Sequence, residues 1–175
     1  MSTRRLPLPP PEVPRETSLD GLMPEFQSKV VQLFDLLRAD GFNPIVGETL
    51  RTNARQEFLY GFGRTWDDGR RIVTHSRTGE RTWHFYGCAI DIWDGDNPRA
   101  PYNIPRAMAE AISRHCLTLG LTHGADWNRN GDLTDESFAD WPHVQVGPPA
   151  RRSPSDAAAR LKRAGGNEAV WRALR

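Results

Sequence analysis

Cysteine is scarce in this chain, with only Cys88 and Cys116 among 175 residues. Two thiols are too few for a disulfide framework. Both lie in apolar surroundings, where a free cysteine behaves as a small buried hydrophobe. No run of about 18 apolar residues occurs, so no segment reads as a membrane-spanning helix. A charge excess is lacking too: the formal net charge is +1. Such a balance supplies no global field to draw in nucleic acid or anionic lipid. Arg5, Arg15, Arg151 and Arg152 fall in flanking segments and read as solvated decoration. The N-terminus opens with paired arginines, as a secretion signal does, but turns to proline instead of an apolar stretch. Synthesis in the cytoplasm is therefore expected. No internal repeat is visible.

What is present is a soluble globular composition, 26% charged and 38% hydrophobic. The length suits one domain with a single core. Residues 1–18 are proline-rich and predict a flexible or extended lead-in, and residues 19–175 a single domain. Pro24 suits a first helical position, and Phe26, Val30, Leu33, Phe34 and Leu37 recur at helical spacing up to a stop at Gly41. A short strand is expected over 43–48. Thr52 or Asn53 can cap a short helix through Tyr60. Strands are further expected over 71–75, 89–93 and 142–146, the last with Val144 and Val146 on one face and His143 and Gln145 on the other. Pro105 opens a helix closed by Gly120, and Ser153–Pro154 opens another that Gly165–Gly166 breaks. The elements are mixed without regular alternation, so the expected class is α+β.

Five histidines occur, at 75, 84, 115, 123 and 143. Two stand out by context: His84 in Thr82-Trp83-His84-Phe85-Tyr86-Gly87-Cys88-Ala89-Ile90-Asp91, and His143 in Asp140-Trp141-Pro142-His143. Catalytic zinc takes three protein ligands and keeps one position open, and two histidines with a carboxylate form a known set. Asp91 projects from an apolar strand opposite Ile90 and Ile92, where a lone carboxylate is costly unless paired or metal-bound. On the residues alone, Asp91 is equally read as a turn cap or an arginine partner. Arg51 alone reads as a surface ion pair, His123 as structural, and His75 and His115 as surface or packing residues. Trp83, Trp93, Trp127 and Trp141 cluster around these motifs and line a groove or fill the core.

The His84 segment resembles the S-x-H-x-x-G-x-A-x-D signature of the zinc peptidases that include D-Ala-D-Ala carboxypeptidases and phage L-alanoyl-D-glutamate endopeptidases, with Thr82 standing where serine is usual. Asp140-Trp141-Pro142-His143 resembles the second signature of that family. Glu48-Thr49-Leu50-Arg51-Thr52, Arg55-Gln56, Leu59-Tyr60 and Gly63-Arg64-Thr65 resemble its substrate-side segment. The resemblance covers residues 18–147. It implies a small antiparallel sheet carrying the zinc site, flanked by helices, as in the hedgehog signalling domain. It further implies zinc on His84, Asp91 and His143, with Asp140 as general base. Glu136 ranks below Asp140 because the family places the acid beside the metal strand. Arg51, supported by Gln56, is expected to bind a substrate carboxylate or the oxyanion, with Thr82 on the substrate side. The implied activity is cleavage of the peptidoglycan stem peptide, most closely between L-alanine and D-glutamate, by a monomer. The alternatives are a D,D-carboxypeptidase or a non-catalytic, zinc-containing wall-binding module. A phage lysin released by a holin suits the lack of a signal peptide.

Asp126, Asn128, Asn130, Gly131 and Asp132 match the start of a calcium loop, D-x-[DN]-x-[DN]-G. Position 12 departs from it, being Ser137, with Asp135 and Glu136 placed earlier. The expectation is a calcium site on Asp126, Asn128, Asn130, Asp132 and Asp135 or Glu136. The plainer reading is a polar turn. Similar loops in some phage members of the resembled family support calcium.

Overall fold

The computed structural model describes residues 6–70 and 72–175. Their elements run α1 (Pro24–Ala39), β1 (Pro44–Glu48), α2 (Asn53–Gly61), 3-10 turns at Gly79–Arg81 and Trp83–Tyr86, β2 (Ala89–Asp94), α3 (Arg106–Leu119), β3 (Leu121–His123), β4 (His143–Val146) and α4 (Asp156–Leu174). The strands form one antiparallel sheet in the order β1-β2-β4-β3. The class is α+β, as expected.

Period-two alternation divides the sheet into a packing face and a polar face. Ile90, Ile92 and Val144 are fully buried in the main core, together with Val30, Leu33 and Leu37 of α1 and Met108, Ala109 and Ile112 of α3. Each Val, Leu, Ile or Met side chain here contributes roughly 1.5–3 kcal/mol by leaving water. The intervening residues Asp91, His143 and Gln145 share the other face, and the register sets Asp91 opposite His143. Helix boundaries follow local chemistry. Pro24 sits in the first turn of α1, the Thr52 hydroxyl accepts from the Arg55 N–H at the start of α2, and Gly120 closes α3 in the left-handed region at φ 69°. Gly165 and Gly166 leave helical geometry inside α4, as their sequence predicts. The last turns of α4 dock through the Trp171 indole N–H, which donates to the Tyr86 carbonyl at 2.7 Å.

The strand expected over 71–75 does not form, and Arg71 itself lies outside the described residues. Ile72 and Val73 are exposed, so this segment has no covered face to reward pairing. Its polar groups serve side chains instead: the Thr74 carbonyl accepts from Arg64, and the Thr74 hydroxyl accepts from Gln56. The lead-in has no helix or strand between Leu6 and Ser18, yet it lies against the body. Asp67 donates its N–H to the Pro7 carbonyl. Val13 packs on Phe58, Leu59 and Phe62, and the Arg15 guanidinium stacks 4.4 Å from the Trp93 ring centre rather than standing free in solvent. Arg5 lies outside the described residues. Among those residues, no helix is long and apolar enough to cross a membrane.

Candidate metal centre

Three ligand atoms converge on the polar face of the sheet. His84 comes from the 3-10 turn before β2, Asp91 from β2 and His143 from β4. Gly87 makes the approach of His84 feasible: it turns the chain at φ 66°, and a Cβ there would meet the Gly21 carbonyl oxygen at 2.3 Å. His84 Nε2 lies 3.2 Å from His143 Nδ1, and Asp91 Oδ1 lies 3.3 Å and 3.5 Å from those two nitrogens. Zinc bonds of about 2.0–2.1 Å in tetrahedral geometry require donor–donor edges of about 3.3–3.4 Å. The triangle therefore fits a tetrahedral ion with a fourth position left open.

Hydrogen bonds on the outer side of each ring fix which nitrogen faces inward. His84 Nδ1–H donates to the Thr49 carbonyl at 2.8 Å, leaving the Nε2 lone pair for a metal. His143 Nε2–H donates to Gln145 Oε1 at 3.1 Å, leaving Nδ1. The Gln145 amide is itself oriented, because its Nε2 donates to the Arg151 carbonyl at 2.9 Å. Metal-binding imidazoles are characteristically held this way. Gln145 was not singled out from sequence, although its position two residues along the strand from His143 carried the signal.

Arg51 points inward. Its guanidinium donates to Glu48, to Asp91 Oδ2 at 3.1 Å and to Gln56 Oε1 at 3.2 Å. It is only 8% exposed, and in this structure its partners are protein groups. A β-bulge between Val46 and Glu48 sets Glu48 opposite Asp91. Arg55 donates to the other Glu48 oxygen and to Glu12 and Val13 of the lead-in. The result is a buried chain of alternating charge, Arg55–Glu48–Arg51–Asp91, in which each member has a partner, as buried ions require. Gln56 also donates to Thr74 and Ser76. Thr82 sits between the two 3-10 turns, and its hydroxyl donates to the Gly79 carbonyl at 3.3 Å. Burial works to raise the pKa of Asp91, but His84, His143 and Arg51 outweigh it and hold the carboxyl well below its usual range.

Asp140 lies in the turn before β4, three residues from His143, whose N–H donates to the Asp140 carbonyl at 3.1 Å. Burial pushes the Asp140 carboxyl above its usual range. His143 pulls against that shift and Asp91 adds to it, so Asp140 is within electrostatic reach of the ligands. It borders a cavity of about 500 Å³ whose walls include Tyr102, Ile104, Arg106 and Trp141. Glu136 is occupied elsewhere, accepting the Asn128 N–H at 2.8 Å. His123 is buried beneath the site, with Nε2 bonded to the Trp141 carbonyl at 2.7 Å. Trp127 packs on His143 with ring centres 5.6 Å apart, whereas Trp83 belongs to the core. His75 is on the surface against Phe138. His115 pairs with Asp40.

The loop from Asp126 to Glu136 is closed by its own hydrogen bonds. Asp126 is buried and accepts from the Ser113 hydroxyl of α3 and the N–H groups of Asn130 and Gly131, which anchors the loop to the helix. The side-chain amides of Asn128 and Asn130 both donate to Asp135, so their nitrogens face that carboxylate. Asp132 accepts from Thr134. Among the described residues, His84, Asp91 and His143 are the group whose histidine and acid ligand atoms converge, and the loop acids do not join in such a group. Calcium is not assigned to the loop.

No family model matches the chain, and neither does any curated protein. Among solved structures it is similar to the L-Ala D-Glu endopeptidase ChiX of Serratia marcescens, at 22% identity over 78% of this chain and 91% of that one, with a TM-score of 0.47. It is similar to the LD-carboxypeptidase LdcB at 15% identity over 96% of this chain and 77% of that one, with a TM-score of 0.49. It is also similar to a vancomycin-resistance D,D-pentapeptidase, VanY, in complex with Zn(II), at 19% identity over 94% and 93% of the two chains, with a TM-score of 0.45.

Proposed function

We propose that this chain is a zinc-dependent peptidase that cuts the stem peptide of bacterial peptidoglycan between L-alanine and D-glutamate. The observation that carries the reading is the donor triangle of His84, Asp91 and His143, with both outer ring nitrogens already hydrogen-bonded and Asp140 beside it. The choice of bond is supported by the form of the sequence motifs, Arg51-Thr52 with Arg55-Gln56 and Asp140-x-Pro142-His143.

When bound, zinc supplies a Lewis acid for the scissile carbonyl and brings the pKa of a coordinated water to about 7. Asp140 takes the proton from the attacking water and delivers it to the leaving amine nitrogen. A carboxyl raised by burial suits both transfers, because its affinity for the proton lies nearer the working pH. Arg51 holds Asp91 Oδ2, so that Oδ1 is presented to the metal. Gln145 and the Thr49 carbonyl hold the two imidazoles in their ligating tautomers.

The test combines metal content with digestion of purified peptidoglycan and mass spectrometry of the fragments. One zinc per chain with new L-alanine carboxyl ends is expected, and Asp140→Ala should keep the zinc while losing turnover. Release of free D-alanine would replace the endopeptidase with a carboxypeptidase. Zinc bound without cleavage of any wall type would leave a wall-binding module.

A further inference from the structure

A second cation lies one aromatic ring away from a ligand, and it differs from Arg51 in being accessible. Arg152 is exposed, and among the described residues its recorded side-chain contacts are with aromatic rings. It lies 4.4 Å from the ring centre of Phe138 and 5.1 Å from that of Trp127, which in turn packs on His143. Two cation–π contacts restrain a guanidinium without using its N–H donors, which remain available to an oxygen pair.

The backbone under Arg152 is also fixed. The Arg151 carbonyl accepts from Trp83 Nε1 at 2.7 Å and from Gln145 Nε2 at 2.9 Å. Gln145 is the residue that orients His143, so one carbonyl ties the segment to the metal centre. The side chain is held against Trp127 and Phe138 rather than standing loose in solvent. Arg51, the carboxylate-binding candidate by sequence, is instead engaged inside by Glu48 and Asp91.

We propose that Arg152 is the receptor for a free carboxylate of the substrate peptide, carried close to the scissile bond on the side that packs toward Trp127. In a stem peptide cut before D-glutamate, the carboxylate next to the new amine is of this kind when it is not amidated. The inference rests on the peptidase reading for its substrate and adds a specificity for charge at that position.

The experiment compares two synthetic stem peptides that differ only in that carboxylate, one free and one as the carboxamide, with zinc-loaded wild-type protein and with Arg152→Gln and Arg152→Lys. For the free acid, Arg152→Gln should lower kcat/KM about 10- to 100-fold, mostly through KM, as expected for loss of a charge-assisted hydrogen bond. The carboxamide should be cut equally by wild type and Arg152→Gln, and Arg152→Lys should recover part of the loss. Equal losses on both peptides, or no loss on either, would overturn the assignment. Calorimetric binding of the same peptides in an Asp140→Ala background separates this inference from the reading beneath it. If wild type cuts neither peptide, the peptidase reading fails. A preference for the acid that disappears with Arg152→Gln still upholds the receptor, and its absence in binding removes it.

Discussion

Gln145 decides which nitrogen of His143 is available. Its Oε1 accepts from Nε2–H, and its own Nε2 is tied to the Arg151 carbonyl, so the amide cannot invert without losing both bonds. Gln145→Leu keeps the volume roughly but removes the acceptor. Zinc affinity should fall about 10- to 100-fold, the usual cost of losing such a partner, as read by competition with a coloured chelator. An unchanged affinity would mean that strand geometry alone orients the ring. His123 makes a different contribution. Burial pushes its pKa down to about 4 from 6.5, with the Trp141 carbonyl opposing the shift, and its Nδ1 has no partner. The folded protein therefore refuses a proton that the unfolded chain takes up below about pH 6.5. Stability from this group is fully present above that pH and declines as pH falls toward 4, by about 2–3 kcal/mol between pH 7 and 4.5. Urea midpoints of metal-stripped wild type and His123→Gln at those two pH values check this. The variant should lose less on acidification, and parallel losses would mean that His123 is solvated at low pH.

Two turns, at 123–126 and 140–143, lie back to back, and the site depends on their closeness. The Gly124 N–H donates to the His143 carbonyl at 2.7 Å, and the Asp140 N–H donates to the Gly124 carbonyl at 2.8 Å. A Cβ on residue 124 would stand 2.4 Å from the Asp140 carbonyl oxygen, a backbone atom with no freedom to swing away. Gly124→Ala should lower stability by about 1–3 kcal/mol. It should also reduce turnover about 100-fold, because Asp140 and His143 move together by a fraction of an ångström to an ångström. Gly120→Ala is the control: φ is 69° there but only Lys29 Nζ is near, so it should strain the fold while leaving kcat unchanged. Comparable activity losses in both would mean that general destabilisation, not turn separation, sets the rate. At this scale much was legible in the sequence. The periods of α1, α3, β2 and β4 follow from apolar spacing, and alternation alone put Asp91, His143 and Gln145 on polar faces. β3 was not legible because three residues carry no period, and it exists only through its pairing with β4. The inward turn of Arg51 was equally hidden, since its partner Asp91 is 40 positions away and the bulge that aligns Glu48 leaves no mark in composition. The strand expected over 71–75 failed for the converse reason: its β-branched residues met no sheet.

The lead-in connects to the metal ligands by two routes. One runs from the Glu16 carbonyl to Thr49, whose N–H donates to it at 2.8 Å, and from the Thr49 carbonyl to His84. The other runs from Glu12 and the Val13 carbonyl through Arg55, Glu48 and Arg51 to Asp91. The two routes reach different ligands, so removing the lead-in loosens both sides of the triangle at once. A chain beginning at Thr17 loses four hydrogen bonds to Arg55 and Thr49 and the cover that Val13 gives Phe58, Leu59 and Phe62. Water replaces much of the hydrogen bonding, so each such bond is worth about 0.5–1.5 kcal/mol net. The Glu12–Arg55 pair contributes least, because its carboxylate is 59% exposed and screened. The truncated protein should therefore fold with stability reduced by about 2–4 kcal/mol, and zinc should bind several-fold more weakly. Glu12→Gln in the full chain should change neither by much. Thermal unfolding by calorimetry with and without zinc distinguishes the two effects: the truncation should lower the melting temperature of the stripped protein and also shrink the upward shift that zinc produces. A lowered melting temperature with an undiminished zinc shift would make the lead-in a brace for the fold alone, with the ligands held by the sheet.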